Sequence, residues 1–407
     1  MTGELVHDTD ILVIGGGMVG LSFACAAAGA GIGVTVVDRL TAEASLEGAF
    51  DGRVSAIAAG SARLLETLGI WQGTEGDRQP ILDIRVSDTE SPLFLHYDHR
   101  DVGDQPFGHI VENRVLRRAL FARAAQLSGL AFRAPAEVAT LDRDQDRATA
   151  TLVDGTIIRA RLVVGADGKR SATRAAAGIA VTRRPYRQTA IVCTVAHQRP
   201  HEGIAQERFL AAGPFATLPL PGNRSSLVWT ERADLAPTLV ALDDAAFLSE
   251  LGDRFTDYLG ALSLVGPRWH YPLELSWAAR ATETRLVLIG DAAHAIHPIA
   301  GQGLNLGLRD VATLAEIVVD AARLGLDIGS AAVLGRYPSA RRVDVLTMGL
   351  VTDGLNQLFA NDIAPIRGVR DLGLAAVDRA PPLKRLFMRH AMGLVGDLPR
   401  LVRGESL

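Results

Sequence analysis

The stretch Asp10-Ile11-Leu12-Val13-Ile14-Gly15-Gly16-Gly17-Met18-Val19-Gly20 decides the fold of this chain. Apolar residues precede the glycines and an alanine-rich segment follows them, which predicts a strand, a tight turn and a helix. The spacing of Gly15, Gly17 and Gly20 matches a dinucleotide-binding fingerprint. Asp38 ends the next apolar run, where a carboxylate can bind ribose hydroxyls. The pattern predicts an α/β chain with a three-layer, Rossmann-like nucleotide-binding domain.

The same region is long and uncharged, which is also typical of a membrane span. No charged residue occurs from Ile11 to Val37. That stretch contains seven glycines, however, and it ends in a cluster of β-branched residues. A parallel strand–helix–strand unit buried on both faces produces a run of this kind. We therefore favour the buried unit over the membrane span.

A second segment with nucleotide-binding character lies far along the chain. Gly290-Asp291-Ala292-Ala293-His294 follows a short apolar run and leads, through the glycine-rich residues 301–307, into a helical pattern that reaches about Leu324. An aspartate at a strand end can accept hydrogen bonds from sugar or ribityl hydroxyls. A glycine-rich helix start offers backbone N–H groups and a positive dipole end to an anionic ring or phosphate.

A third segment lies between the other two. The run from Arg161 to Gly165 predicts a buried strand, and Asp167-Gly168 predicts a turn directly after it, followed by Ser171 and Arg174. An acidic turn of this kind is common in proteins. Placed between the two other nucleotide motifs, it predicts that Asp167 also contacts the cofactor.

Composition and charge exclude several classes of protein. The chain has 407 residues, enough for two lobes, and a net charge of −4 gives no sign of a nucleic-acid-binding surface. Its two cysteines, Cys25 and Cys193, lie in apolar contexts and predict buried small side chains rather than a metal or redox motif. Residues 1–9 lack the apolar core of a signal peptide, which predicts a cytoplasmic location.

The three motifs together resemble those of the flavoprotein aromatic hydroxylases, the group that includes para-hydroxybenzoate hydroxylase. Within that group the chain resembles the ubiquinone-biosynthesis hydroxylases, and the resemblance spans nearly the whole sequence. Its further segments are Asp51-Gly52-Arg53, Ser61, Leu68-Gly69-Ile70-Trp71, Val111 to Leu116, His297 to Asn305, Ala391-Met392-Gly393 and Leu398-Pro399. One departure is Asp38, because many flavin enzymes carry glutamate there.

The resemblance implies FAD as the cofactor and assigns a role to each matching residue. Asp38 would bind the adenosine ribose, and Arg53 would face the pyrophosphate or the flavin. Asn113 would contact the cofactor, with Glu112 as the alternative register, and Asp291 would hold the ribityl chain. The full predicted cofactor-binding set is Gly15, Gly17, Gly20, Asp38, Arg53, Asn113, Asp167, Asp291, Gly301, Gly303 and Leu304.

The resemblance gives no certain catalytic side chain. The backbone from Gly301 to Leu304 would face the pyrimidine side of the flavin. His294 and His297 invite a metal-site interpretation, but Asp291, the nearby carboxylate, is already assigned to the flavin and no cysteine stands close. We therefore expect no metal, and a structural or substrate-lining role for the two histidines. The candidates for facing substrate or flavin are His297, Pro298 and Trp229.

The remaining segments predict a lobe that covers the flavin. The predicted division is an FAD-binding domain of residues 1–75, 106–185 and 276–335, a β-sheet substrate domain of 76–105 and 186–275, and a C-terminal helical region of 336–407. Residues 216–220 and 225–229 predict a β-hairpin, in which Pro219 indicates an edge or irregular strand. Phe215 and Trp229 could line a pocket or belong to the core.

The C-terminal region has helical spacing of apolar residues. Amphipathic positions after Tyr337 are Val343, Leu346, Leu350, Leu355, Leu358 and Phe359. Further on, Leu383, Leu386, Phe387 and Met388 alternate with Lys384, Arg385, Arg389 and His390. Such a basic amphipathic segment is typical of a surface that lies on an anionic membrane or a partner protein, and equally of a helix docked on the cofactor domain.

The resemblance implies an FAD-dependent monooxygenase that hydroxylates the aromatic ring of a polyprenylated phenol in ubiquinone biosynthesis. Molecular oxygen is the co-substrate, and NAD(P)H or another electron donor would bind transiently, because no second glycine fingerprint exists. A membrane surface and other ubiquinone-biosynthesis proteins are the expected partners, with the protein peripheral on the membrane. The alternatives are an FAD-dependent isoprenoid reductase and a non-catalytic prenyl-binding module.

Overall fold

The computed structural model describes residues 6–47, 52–88, 94–255, 257–297, 299–359 and 380–407. Asp51, Pro298 and residues 360–379, on which some of the predictions above fall, lie outside the described residues, as do the side chains of Leu355 and Phe359. No helix in these described ranges is both long enough and apolar enough to cross a membrane.

The described residues form strands and α-helices, with several runs of consecutive strands. The strands are β1 (Val6–Ile14), β2 (Val34–Val37), β3 (Val54–Ala58), β4 (Arg78–Ile81), β5 (Asp83–Asp88), β6 (Phe94–Asp98), β7 (Gly108–Glu112), β8 (Leu130–Arg133), β9 (Val138–Arg143), β10 (Ala148–Leu152), β11 (Ile157–Gly165), β12 (Val181–His197), β13 (Ile204–Leu210), β14 (Gly213–Leu220), β15 (Arg224–Arg232), β16 (Leu262–Ala278), β17 (Thr282–Glu283), β18 (Leu286–Leu288) and β19 (His294–Ala295). The helices are α1 (Met18–Gly29), α2 (Ala42–Glu47), α3 (Ala59–Thr67), α4 (Asn113–Ala125), α5 (Ala172–Ala176), α6 (Ala236–Ala241), α7 (Asp244–Arg254), α8 (Gln302–Arg323), α9 (Ala331–Leu334), α10 (Arg336–Phe359), α11 (Pro381–Ala391) and α12 (Arg400–Arg403).

The first sheet brings the three predicted motifs to one edge. Its strand order is β17-β18-β11-β1-β2-β8, and β18, β11, β1, β2 and β8 run parallel. Ile14 pairs with Val37 on one side and with Gly165 on the other, and Gly165 pairs with Leu288. Four strands therefore end in one row, as the carboxyl ends of a nucleotide-binding sheet do.

Both faces of this sheet are covered. On one face, α1, α4 and α8 pack against side chains such as Ile11 and Val13 in a large apolar core. On the other face, Leu12 and Val163 pack with residues of β10. The uncharged stretch is thus a buried strand–helix–strand unit, and the predicted fold class is confirmed.

The two cysteines occupy separate cores. Cys25 lies in the core that α1 forms with the first sheet, and Cys193 lies in a core beneath the second sheet. Burial raises the pKa of each thiol to about 12, so both remain protonated at neutral pH. The prediction that both are buried small side chains is confirmed.

The second sheet is mostly antiparallel, with the order β19-β16-β12-β15-β14-β13-β5-β6. The predicted hairpin is confirmed, because β14 and β15 pair from Phe215 with Trp229 to Leu220 with Arg224. The prediction that Pro219 marks an edge or irregular strand is wrong, since β14 lies between β13 and β15. Proline is tolerated because β13 pairs only as far as Thr217, so no ladder hydrogen bond from position 219 is lost on that side.

The sheets follow the predicted segments in part. Residues 76–105 supply β5 and β6, and residues 186–275 supply most of the strands that pair with them. However, β12 begins at Val181 and β16 ends at Ala278, and β4 pairs with β7 in a small third sheet with β3. The division into domains stays a prediction.

The C-terminal region is helical where it is described. The α12 helix anchors the end of the chain, because Leu401 and Val402 enter the core of the first sheet. By contrast, α10 leaves apolar side chains exposed, among them Val343, Leu346 and Leu350.

Candidate functional site

The glycine turn after β1 has the geometry that close approach to a phosphate requires. Gly15 has φ +107°, and a Cβ there would lie 2.5 Å from the carbonyl oxygen of Ala166. A Cβ on Gly20 would lie 2.0 Å from the carbonyl oxygen of Gly15. A Cβ on Gly17, the residue that precedes α1, would meet no atom of the described residues within 4 Å. Gly15 and Gly20 are therefore required by the fold, whereas Gly17 keeps open the space at the helix N-terminus.

Asp38 is fixed beside this turn. Its Oδ2 accepts a hydrogen bond from the Gly16 backbone N–H at 2.5 Å, and its Oδ1 accepts one from Leu40 at 2.8 Å. Each carboxylate oxygen has a second lone pair, so hydroxyls of a ribose can still bind.

One carboxylate oxygen of Asp167 is hydrogen-bonded to the protein, and the other has no partner among the described residues. Its Oδ2 accepts hydrogen bonds from the backbone N–H and hydroxyl of Thr173, both at 2.9 Å. Its Oδ1 is buried and has no partner among the residues that the structure describes. The buried Arg174 guanidinium donates to the carbonyls of Ala292 and Lys169, which ties this turn to the Gly290–Ala292 segment. An unsatisfied buried acceptor at this edge fits a bound cofactor.

Asp291 follows β18 in a short 3₁₀ turn at the carboxyl edge of the first sheet and is exposed. Desolvation by the surrounding protein raises its pKa, and His294, Lys169 and Arg53 oppose this rise. The predicted residues Arg53 and Asp291 are thus within electrostatic range of each other.

A buried ion cluster that the sequence analysis missed supports this turn. Asp310, which is fully buried in α8, accepts a hydrogen bond from the Gly290 backbone N–H at 2.9 Å. The Arg341 Nε donates to its Oδ1 at 2.7 Å, and the His294 Nε2 lies 2.8 Å from its Oδ2. Arg341 and His294 hold the pKa of Asp310 below its ordinary value despite desolvation. The sequence signal that could have revealed this cluster is Asp310 itself, a carboxylate on an otherwise apolar face of α8.

The N-terminus of α8 is held against β3. Gly301 has φ +62°, and a Cβ there would lie 2.9 Å from the Ala56 Cβ. Asn305 is buried, accepts from the Ala58 N–H at 2.9 Å and donates to the Ala56 carbonyl at 2.7 Å. A Cβ on Gly303 would have no atom of the part of the chain that the structure describes within 4 Å. The first backbone N–H groups of α8 have no acceptor within the helix, so they can bind an anionic ring.

Arg53 and Asn113 are neighbours in space. The Asn113 backbone N–H donates to the Arg53 carbonyl at 3.0 Å, and the Asn113 Oδ1 accepts from the Ser55 hydroxyl at 2.7 Å. The alternative residue, Glu112, is buried as well and is bonded to Arg114 at 2.6 Å, so the choice between Asn113 and Glu112 as the cofactor contact stays a prediction.

Comparisons with known proteins agree with the site geometry described above. Residues 8–342 match the family model described as FAD binding domain. The chain is 54% identical to the ubiquinone hydroxylase UbiL of Rhodospirillum rubrum over 100% of this chain and 95% of that protein. The chain belongs to the FAD-dependent ubiquinone-biosynthesis hydroxylases. It is also 35% identical to the 3-demethoxyubiquinol 3-hydroxylase of Escherichia coli over 95% of this chain and 99% of that enzyme.

The fold of this hydroxylase agrees with a solved structure of low identity. The p-nitrophenol 4-monooxygenase PnpA of Pseudomonas putida superposes with a TM-score of 0.80 and 20% identity, covering 96% of this chain and 99% of that one. The predicted family, the flavoprotein monooxygenase class and FAD as cofactor are confirmed. The role of each site residue stays a prediction.

Of the two roles considered for Trp229, pocket lining and core packing, the structure shows core packing. Trp229 and Phe215 face α7, where they pack with Phe247 and Leu251. Trp229 therefore has no access to the cleft, and its candidacy as a substrate-facing residue is wrong. His297 is fully buried as well, with its ring 4.8 Å from that of Tyr186, so it does not face substrate directly.

The face of the second sheet opposite to Trp229 is turned toward the cofactor edge, which is the carboxyl edge of the first sheet. Directly paired residues share a face, and here Val192 pairs with both Val228 and Trp269. A Cβ on Gly52 would lie 2.2 Å from the Trp269 ring, and the Arg53 guanidinium lies 5.3 Å from the Tyr271 ring centroid.

We predict that Asp291→Ala weakens FAD binding. The substitution removes a hydrogen-bond acceptor from the cleft, which costs about 1–3 kcal/mol, or roughly five- to 150-fold in Kd. Asp291→Asn, which keeps one acceptor oxygen, is the matched variant and should lose less. Titration of the apoprotein with FAD, followed by flavin fluorescence, measures both. Equal Kd values for the wild type and Asp291→Ala would contradict the assignment.

Proposed function

We propose that this hydroxylase inserts one atom of molecular oxygen into the aromatic ring of a polyprenylated phenol on the route to ubiquinone. The substrate class is supported by relatives named as ubiquinone hydroxylase and 3-demethoxyubiquinol 3-hydroxylase, which match nearly the whole chain. The observation that carries the proposal is the 54% identity with the ubiquinone hydroxylase UbiL over the whole chain. The contact of the Gly52–Arg53 segment with Trp269 and Tyr271 joins one face of the second sheet to the cofactor edge.

Protein residues would bind and orient the two partners of this reaction. Bound FAD supplies the redox chemistry, since it passes electrons from a nicotinamide nucleotide or another transient donor to oxygen. Asp38, Asp167 and Asp291 would hold the cofactor from the first sheet. The N-terminus of α8 would stabilise negative charge on the reduced ring system. Val192, Val228 and Trp269, which lie on one face of the second sheet, would exclude water from the substrate ring.

The simplest test is phenol-dependent oxygen consumption. Purified protein with FAD and a reductant should consume oxygen faster when a short-chain prenylphenol is added, and should release little hydrogen peroxide. Catalase and peroxide assays separate hydroxylation from leakage of reduced flavin. Oxygen uptake that is unaffected by any prenylphenol and yields only peroxide would count against the proposed substrate class.

We also propose that α11 binds the surface of an anionic membrane, where a lipid-tailed substrate resides. Leu383, Leu386 and Phe387 are 40%, 51% and 45% exposed, and Arg385 and Arg389 are exposed on the same helix. Exposed apolar side chains interleaved with cations suit the boundary between headgroups and acyl chains. This arrangement also supports a location at the membrane surface.

Replacing Leu386 and Phe387 together by aspartate should reduce binding to vesicles of phosphatidylglycerol and phosphatidylcholine at least about tenfold, because two apolar side chains no longer enter the bilayer. Leu324→Asp is the control, since Leu324 is 73% exposed and lies just beyond α8. Co-sedimentation measures the bound fraction. Equal losses in both proteins, or binding that is unaffected by phosphatidylglycerol, would contradict the assignment of α11.

A further inference from the structure

One face of α10 presents a row of exposed apolar side chains. Val343, Leu346 and Leu350 are 74%, 46% and 67% exposed. Their spacing of three and four residues places them on one side of the helix, and Gly354 continues the row by one more turn. We refer to these four residues as the outer stripe of α10. A contiguous apolar surface of this kind marks a site of contact with another molecule.

The opposite side of the same helix is buried and fixes its orientation. Arg341, Met348 and Thr352 are buried. At 100° per residue they lie on the side of α10 that faces away from the outer stripe. Arg341 also donates to the buried Asp310 of α8 at 2.7 Å. The outer stripe therefore points away from the rest of the molecule.

The outer stripe carries no charge. Every exposed residue from Val343 to Gly354 is uncharged. The two acidic residues of this range are only partly exposed and already form ion pairs, Asp344 with Arg341 and Asp353 with Arg184. By contrast, α11 exposes two arginines among its apolar side chains. An anionic membrane or an acidic partner thus finds no cation on the outer stripe, whereas a second copy of the stripe can pack on it without like-charge contact.

The shape of the outer stripe is complementary to itself when two copies run antiparallel. Val343 is its most exposed side chain, and Gly354, 11 positions later, has none. A Cβ on Gly354 would have no neighbour within 4 Å among the described residues. About a two-fold axis between two antiparallel helices, each Val343 lies opposite the Gly354 of the other copy, while Leu346 and Leu350 meet at the centre.

The one charge in line with the outer stripe favours the same direction. Arg336 is exposed at the first position of α10, two turns before Val343. In an antiparallel pair it lies beside the C-terminal end of the other α10, where the helix dipole favours a cation. In a parallel pair the two Arg336 guanidinium groups would face and repel each other.

We propose that the outer stripe of α10 is the contact surface for a second copy of this chain, with the two α10 helices packed antiparallel across a two-fold axis. The contact buries the apolar side chains that each single chain exposes. The inference rests neither on the proposed substrate nor on the proposed membrane contact of α11.

Sedimentation equilibrium of the full-length protein with bound FAD tests the proposal. The wild type should convert to a dimer as its concentration rises. Leu350→Asp should weaken dimerisation at least about tenfold, because it replaces a central apolar side chain by a charge. Leu324→Asp is the control, since Leu324 is exposed just beyond α8 and away from the outer stripe, and it should dimerise like the wild type.

Gly354→Leu distinguishes a second copy from other apolar partners. Leucine favours the helix and has open space at this position, so the variant should fold. It makes the outer stripe more apolar, which would strengthen binding to a bilayer. In the proposed dimer it fills the space that Val343 of the other copy occupies, so dimerisation should weaken instead.

Disulfide cross-linking tests the direction of the two helices. Positions 343 and 354 lie about 16 Å apart along one helix, too far for a disulfide within one chain. A chain with both Val343→Cys and Gly354→Cys should therefore form a linked dimer on oxidation, and neither single variant should. The native Cys25 and Cys193 are buried and should stay reduced.

Four results would overturn the proposal. The protein could be monomeric at every concentration, or Leu350→Asp could leave a dimer intact, which would place the interface elsewhere. Gly354→Leu could tighten self-association, which would contradict the fit with Val343. Val343→Cys alone could form the linked dimer, which would show parallel helices. Circular dichroism of each variant separates a lost dimer from a lost fold, and Gly354→Leu supplies the test where Leu350→Asp does not fold.

Discussion

Gly17→Val should fold normally and bind no FAD. Among the described residues no atom lies within 4 Å of a Cβ at position 17, and the backbone at φ −69°, ψ 178° is extended and accessible to valine. The branched side chain would occupy the space through which the backbone approaches the pyrophosphate. The purified variant should therefore be colourless, and FAD titration should give no saturable binding.

The control for this variant lies at the other end of the same helix. Gly29 ends α1, and a Cβ there also has no neighbour within 4 Å in the described ranges. Gly29→Val should keep its flavin, since this end of α1 lies far from the carboxyl edge of the sheet. Circular dichroism and thermal unfolding of the apoproteins establish that both fold. A folded Gly17→Val protein with normal flavin content would show that the glycines form only a structural turn.

Asp310→Ala should cost the apoprotein about 3 kcal/mol of unfolding free energy, the lower end for breaking a buried ion pair. The guanidinium of Arg341 would lose its main buried counter-charge, although Asp344 remains at 2.5 Å from its Nη1. Affinity for FAD should fall as well, because the Gly290 N–H that orients the Asp291 turn loses its acceptor. Urea unfolding followed by tryptophan fluorescence, with FAD titration, measures both effects.

Asp344→Ala is the matched variant, because it removes the outer partner of Arg341 and leaves Asp310 in place. It should cost less and leave FAD binding unchanged. The contribution of Asp310 also has a defined pH dependence, since its pKa is lower in the folded protein than in the unfolded chain. That contribution is complete above about pH 4 and disappears as the pH falls through the folded-state pKa. Equal losses from the two variants would contradict the central role of Asp310.

The sequence predicted the cofactor edge because each of its parts is local. A strand, a tight turn and a helix start lie within a few residues of one another at Gly15 to Gly20, and the same is true at Asp167 and Asp291. Parallel pairing then brings these local units together. The paired residues Val37, Ile14, Gly165 and Leu288 lie side by side at the carboxyl ends of four neighbouring strands.

The substrate face was harder to predict, because strand alternation defines two faces without saying which one a helix covers. Trp229 and Val228 are adjacent, and only the packing of α7 on the Trp229 side decides that Val228 lies on the face shared with Trp269. The prediction for Pro219 was wrong for a related reason. The backbone N–H that proline lacks matters only where a neighbouring strand would pair with that position, and the local sequence does not show where the pairing of β13 stops.

The buried clusters depend on contacts between distant residues. Asp310 and Arg341 lie 31 positions apart, and Tyr186 lies more than 100 positions from His297. No local pattern connects such pairs. A charged residue within an apolar helix face, as at Asp310, signals that a partner exists but not which one.

The central claim is that an oxygen atom from molecular oxygen enters the ring of a prenylated phenol. The most direct measurement is turnover with isotopically labelled oxygen gas, FAD, a reductant and a short-chain prenylphenol, followed by mass spectrometry of the product. The account predicts one labelled oxygen atom in the aromatic ring, with the prenyl double bonds intact. A product that carries no label, or one that has lost a double bond, would contradict it and favour an isoprenoid reductase.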